Sequence, residues 1–145
     1  MGTFDGVAGG RRALEGSRIL VVDDDDDVRD ALVAILGFFG ADADGVDSAA
    51  AARERLAVEE IDVLLSDIEM PVENGYDFMR SVRRWRRVHD IAAAAVTARA
   101  STEECRAALA AGFDLIVAKP LGAAQLVAAV CALKALTRLT ARQAS

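Results

Sequence analysis

The sequence predicts an α/β fold, a single doubly wound five-stranded parallel sheet with five helices, and three observations predict it. Short continuous apolar runs, such as Ile19-Leu20-Val21-Val22, Val63-Leu64-Leu65 and Leu115-Ile116-Val117-Ala118, have the texture of strands covered on both faces. Each strand is followed by a helical pattern, and such alternation calls for parallel strands joined by right-handed crossovers. A chain of 145 residues holds one core and hardly two.

The elements follow in order. Residues 1–16 carry Gly2, Gly6, Gly9, Gly10 and Gly16 with Arg11 and Arg12, and read as a flexible N-terminal tail or linker. The domain is expected over 17–137. Its first strand, from Ile19, breaks at five aspartates, Asp23 to Asp27. Val28, Leu32, Ile35, Leu36 and Phe39 then form one apolar stripe that stops at Gly40. A weaker strand over 41–46 leads to an Asp47 or Ser48 N-cap and an Ala-rich helix to about Val58. The strand at Val63 ends on Ser66-Asp67. After the loop Met70-Pro71-Val72-Glu73-Asn74-Gly75, a third helix places Phe78, Met79, Val82 and Trp85 on one side. Residues 91–96 make the fourth strand by position, although four alanines have low strand propensity. Ser101-Thr102-Glu103-Glu104 opens the fourth helix and Gly112 ends it. Lys119-Pro120 punctuates the fifth strand, and Leu126, Val130 and Leu133 give the fifth helix its stripe before a C-terminal tail, 138–145.

Composition removes several function classes. With 17 Lys+Arg against 23 Asp+Glu the net charge is −6, so a nucleic acid is a poor partner. No apolar run spans a bilayer and the start lacks a signal pattern, which leads to the expectation of a cytoplasmic monomer with no membrane contact. Cys105 and Cys131 have no paired spacing and read as small buried hydrophobes in the reduced state. The arginines from Arg80 to Arg87 read as a solvated helix end, Asp25, Asp26 and Asp27 as helix-capping charge, and His89 is given no role.

In a doubly wound sheet, ligands collect at the carboxyl ends of the strands. The polar residues there are Asp23 and Asp24, Asp67, Thr97 and Lys119. Three converging carboxylates must bind protons or a cation, and a hard divalent ion, Mg2+ or Mn2+, suits oxygen ligands. With its charge masked, Asp67 can attack phosphorus, while Lys119 and the Thr97 hydroxyl stabilise phosphoryl oxygens.

The motifs Val21-Val22-Asp23-Asp24, Asp67-Ile68-Glu69-Met70-Pro71 with Gly75, Val96-Thr97-Ala98, and Ala118-Lys119-Pro120 resemble the receiver domain of two-component response regulators. The resemblance covers roughly residues 17–137. It implies the flavodoxin-like strand order 2-1-3-4-5. It also implies that Asp67 accepts a phosphoryl group from a phosphohistidine or a small acyl phosphate. Asp23, Asp24, Asp67 and the backbone carbonyl of Glu69 would hold magnesium. Thr97 and Lys119 would sense the phosphoryl charge and shift a nearby loop and helix. The implied partner is a histidine kinase or histidine phosphotransfer domain, including a kinase covalently linked in a parent protein, because Leu14-Glu15-Gly16-Ser17-Arg18 is similar to the linker before a hybrid-kinase receiver.

Three positions depart from the pattern. Ile116 stands where the family often has an aromatic residue, so a coupled threonine and aromatic switch is not expected in its usual form. Glu69 and Arg99 stand at positions that in the family flank the phosphoryl group, and are expected to pair across the site, altering water access. Two other readings compete. A haloacid-dehalogenase-type phosphatase needs an aspartate where Glu69 stands, together with a cap domain. A receiver-like module that is never phosphorylated typically loses an acidic or lysine position, and all five are present here. No Gly-x-x-x-x-Gly-Lys-[Ser/Thr] loop occurs, so a phosphate must come from a donor.

Overall fold

A computed structural model describes residues 10–144, with side chains as far as 136. Among the described residues, five parallel strands form one sheet in the order β2-β1-β3-β4-β5. They are β1 (Arg18–Val22), β2 (Asp42–Val46), β3 (Val63–Asp67), β4 (Ala92–Thr97) and β5 (Leu115–Ala118). The helices are α1 (Asp26–Phe38), α2 (Ala49–Val58), α3 (Gly75–Arg84), α4 (Thr102–Ala111) and α5 (Ala123–Ala144). This is the expected architecture and strand order.

Alternation along each strand sorts its side chains into two cores. Leu20, Val22 and Leu64 face α2, α3 and α4, packing with Leu56, Phe78, Met79 and Val82. Ile19, Val21, Val63 and Leu65 face α1 and α5, packing with Leu36, Phe39, Leu126 and Val130. The strand order reverses between β1 and β3, which leaves a crevice at their carboxyl ends.

Local chemistry explains most boundaries. Asp25 caps α1, accepting from the N–H of Asp27 and Val28; Ser48, Asn74 and Ser101 cap α2, α3 and α4 in the same way. Gly112 ends α4 with φ of 116°, a backbone region that L side chains rarely adopt. The alanines of β4 form a strand because burial overrides propensity: they lie between β3 and β5, covered on both faces.

Several expectations are corrected. The tail boundary at residue 17 falls too late. Leu14 is fully buried against the α1 core, its N–H bonds Phe39 O at 2.9 Å, and Arg11 lies over the Phe38 ring. Residues 1–9 of that tail lie outside the described residues. The C-terminal segment, read as a tail from 138, is helical backbone to Ala144, and Ser145 lies outside the described residues. Cys105 and Cys131 are free thiols but only half-buried.

Arg83 does not belong to a solvated helix end. Its guanidinium donates to the carbonyls of Gly112 (2.8 Å), His89 (2.9 Å) and Ile91 (2.6 Å) and to Asp114 Oδ2 (3.1 Å). It thereby ties the end of α3 to the starts of β4 and β5. Its aliphatic stem crosses Gly112, where a Cβ would meet Cγ at 2.6 Å.

Candidate functional site

The sheet register brings the sequence-predicted residues to one edge. Val22 is level with Ser66, Ser66 with Ala95, Asp67 with Val96, and Thr97 with Ala118. Asp23 and Asp24 therefore leave β1 beside Asp67, while Thr97 and Lys119 leave the next two strands. The Lys119 N–H donates to Thr97 O at 2.8 Å, and the Lys119-Pro120 bond is cis.

Asp23 and Asp67 are buried, and Asp24 is exposed at the mouth. Oxygens of the three carboxylates lie within 4.8 Å of one another. Lys119 Nζ stands 2.8 Å from Asp23 Oδ2 and 3.5 Å from Asp67 Oδ2. Asp23 Oδ2 is otherwise without a donor, so the Lys119 ammonium is its sole neutralising partner among the described residues. Asp23 Oδ1 accepts from the N–H of Asp25 at 3.0 Å, and Asp67 Oδ1 from that of Glu69 at 3.3 Å.

This leaves the buried site one positive charge short. Burial first, then the charge of Asp23, pushes the Asp67 carboxyl up to about 6, with Lys119 and the N–H groups of Ile68 and Glu69 pulling the other way. Burial pulls the Lys119 ammonium down, but its bond to Asp23 and the charges of Asp67 and Asp23 outweigh that and hold it above the ordinary lysine value. An unneutralised, all-oxygen trio with an open third ligand suits a hard divalent cation.

Thr97 is 2 % exposed. Its Oγ1 accepts from Arg99 N–H at 3.1 Å and lies 3.4 Å from both Arg99 O and Glu104 Oε2, so it faces α4 rather than the carboxylates. Arg99 Nε and Glu69 Oε1 stand 4.0 Å apart, both largely in solvent. Ile116 is half-buried and packs with the α2–α4 core.

Some functional supports were invisible in the sequence. Arg29 Nη1 donates to Asp23 O at 3.0 Å, bracing the β1–α1 loop, and its stem lies across Gly45, where a Cβ would meet Cγ at 2.7 Å. A glycine opposite an arginine on another element leaves no local signal. At Gly75 a Cβ would meet Asp67 O at 2.3 Å, so α3 can begin against the Asp67 backbone only because the residue is glycine. A cleft of about 520 Å³ opens beside Asp24, walled by Asp47, Ser48, Pro71, Val72 and Glu73.

Comparison with known proteins agrees with this geometry. The chain matches the family described as "Response regulator receiver domain" over residues 19–131. It is 36 % identical over 122 residues to the response regulator MprA of Mycobacterium ulcerans, covering 84 % of this chain and 52 % of that one. It is 38 % identical over 117 residues to the transcriptional regulatory protein PrrA of Mycobacterium tuberculosis, covering 80 % and 49 %. The chain thus spans about half the length of these relatives. A response regulator receiver domain protein of Methanospirillum hungatei superposes with a TM-score of 0.76 at 27 % identity, covering 84 % of this chain and 97 % of that one. Because the matched segment runs from the first strand into the fifth helix, through every loop that shapes the acidic cleft, the chain belongs to the response regulator receiver domains, the phosphoacceptor modules of two-component signal transduction.

Proposed function

We propose that Asp67 takes a phosphoryl group from the phosphohistidine of a histidine kinase or histidine phosphotransfer domain, or from a small acyl phosphate, in a magnesium-dependent step. The observation that supports this best is two buried carboxylates, Asp23 and Asp67, facing one half-buried ammonium, Lys119. A carboxylate oxygen of Asp67 attacks phosphorus. The new oxygen–phosphorus bond forms as the phosphorus–nitrogen bond of the donor imidazole breaks, with its electron pair leaving on nitrogen. Lys119 then pairs with the added charge, and the Thr97 hydroxyl turns from Glu104 and Arg99 to donate to a phosphoryl oxygen. Asp23, Asp24, Asp67 and the Glu69 carbonyl would hold the magnesium, which supplies neutralisation of the carboxylate charge and orientation of the phosphoryl oxygens.

The test is intact mass after incubation with acetyl phosphate or phosphoramidate, with and without magnesium. A gain of one phosphoryl group that needs magnesium is expected. No adduct and no phosphate release from a folded protein would replace this reading with that of an unphosphorylated interaction module. Continuous phosphate release with no stable adduct would point instead to rapid hydrolysis, which the Glu69–Arg99 pair bears on.

That pair is read as a screen over the acyl phosphate. An exposed ion pair commands up to about 1 kcal/mol, so Glu69→Ala is expected to speed dephosphorylation by up to about fivefold. An unchanged decay rate removes the role.

A further inference from the structure

The loop from Ile68 to Asn74 carries the Glu69 carbonyl and forms one wall of the acidic cleft, yet its own backbone is strained. The Glu73 N–H bonds Pro71 O at 2.8 Å, closing a γ-turn over Val72, whose φ is 72°. A β-branched residue pays about 1–3 kcal/mol for such a conformation. Val72 is fully exposed, so no packing of its side chain holds the turn in place.

What holds it is Glu73. Arg53 of α2 grips that carboxylate with both terminal nitrogens, Nη1 to Oε1 at 2.8 Å and Nη2 to Oε2. The same guanidinium donates from Nε (3.2 Å) and Nη2 (2.8 Å) to Ser81 Oγ on α3 and lies 5.5 Å from the Phe78 ring centroid. Ser81 Oγ in turn donates to Phe78 O at 2.6 Å. The side chains of Arg53 and Glu73 are 33 % and 28 % exposed, so the pair is partly shielded from solvent screening. Arg53 therefore fastens the turn to two helices at once, using the planar fork that lysine lacks.

We infer that the Arg53–Glu73 pair is a strut that keeps the β3–α3 loop, and with it the Glu69 carbonyl, in the arrangement magnesium requires, which makes Arg53 a positioning residue for metal binding. The inference rests on the magnesium-dependent reading above. The strut acts by geometry, and charge alone makes a different prediction. Removing the positive charge of Arg53 would strengthen binding of a cation, and removing the negative charge of Glu73 would weaken it. A strut predicts that both changes weaken it, and that the second adds little to the first.

The experiment is calorimetric titration of magnesium chloride into the full chain, with hydrogen exchange at the Glu73 and Gly75 amides, for wild type, Arg53→Gln, Glu73→Gln and the double variant. Those amides bond Pro71 O and Ile68 O, so they report the loop directly. Outer-shell partners of metal ligands are commonly worth 10–100-fold in affinity, and a loss of about tenfold is expected in all three variants, with faster exchange at both amides. Should Arg53→Gln fail to fold, Arg53→Lys keeps the charge and stem without the fork and is expected to show the same loss. Opposite signs for the two single variants, or unchanged affinity despite a loosened loop, overturns the strut while leaving the magnesium reading intact. A wild type that binds no magnesium overturns both.

Discussion

Without metal, Asp67→Asn is expected to melt above wild type at about pH 7.5, and the gap is expected to close as pH falls towards 4. The folded protein holds the Asp67 proton up to about 6, well above the ordinary aspartate value of 3.8. The folded state thus binds more protons than the unfolded chain between those values, and stability falls as pH rises through that window. A shift of roughly two units corresponds to at most about 3 kcal/mol, and access of solvent to the cleft reduces it to about 1–2 kcal/mol. Asparagine is isosteric and uncharged, so it removes that cost and leaves Lys119 paired with Asp23. Magnesium is expected to reverse the ranking, since it would stabilise wild type through mass action while the variant would lack one anionic ligand. Thermal melts at two pH values, with and without magnesium, check all of this. A variant less stable than wild type at pH 7.5 without metal would contradict the electrostatic account, and loss of the phosphoryl adduct in the same variant tests the acceptor assignment independently.

Gly75→Ala is expected to damage stability and site together. The added methyl would stand 2.3 Å from Asp67 O and 2.7 Å from Ile68 Cα, and both are backbone atoms with no rotamer to yield. Overpacking of this kind costs about 1–3 kcal/mol, and the loss of the Gly75 N–H bond to Ile68 O at 2.7 Å adds about 1 kcal/mol. Relief requires α3 to move off the end of β3, which displaces Asp67. The measurement is paired: a lowered denaturation midpoint, and slower phosphorylation by acetyl phosphate at a temperature where the variant is folded. Normal phosphorylation in a destabilised protein would show that the start of α3 and the acceptor are mechanically independent.

Much of the fold was legible because its signals are local. The runs at Ile19 and Val63 are short, apolar and bounded by polar residues, and Ser48, Asn74, Ser101 and Gly112 mark helix ends by their own chemistry. The β4 alanines were legible only through their place in the alternation, since their propensity argues against a strand. Leu14 was misplaced because its glycine-rich surroundings hide one apolar side chain that fits beneath the end of α1. Arg83 was misread because a run of arginines looks solvated until the fold gathers the carbonyls of His89 and Ile91 from the next loop and that of Gly112 from the end of α4 around it.

By itself the sequence determined the strand ends and their polar residues, because period and capping act over a few positions. It therefore placed Asp23, Asp24, Asp67, Thr97 and Lys119 on one edge of a parallel sheet. Only the tertiary structure decided the charge balance there: one lysine shared by two buried carboxylates, with the third at the mouth. Only it decided that Arg53 grips Glu73, that Arg29 crosses Gly45, and that Thr97 rests against Glu104. These contacts join residues from different elements, and their energies depend on distance and burial, which no local pattern of residue types encodes.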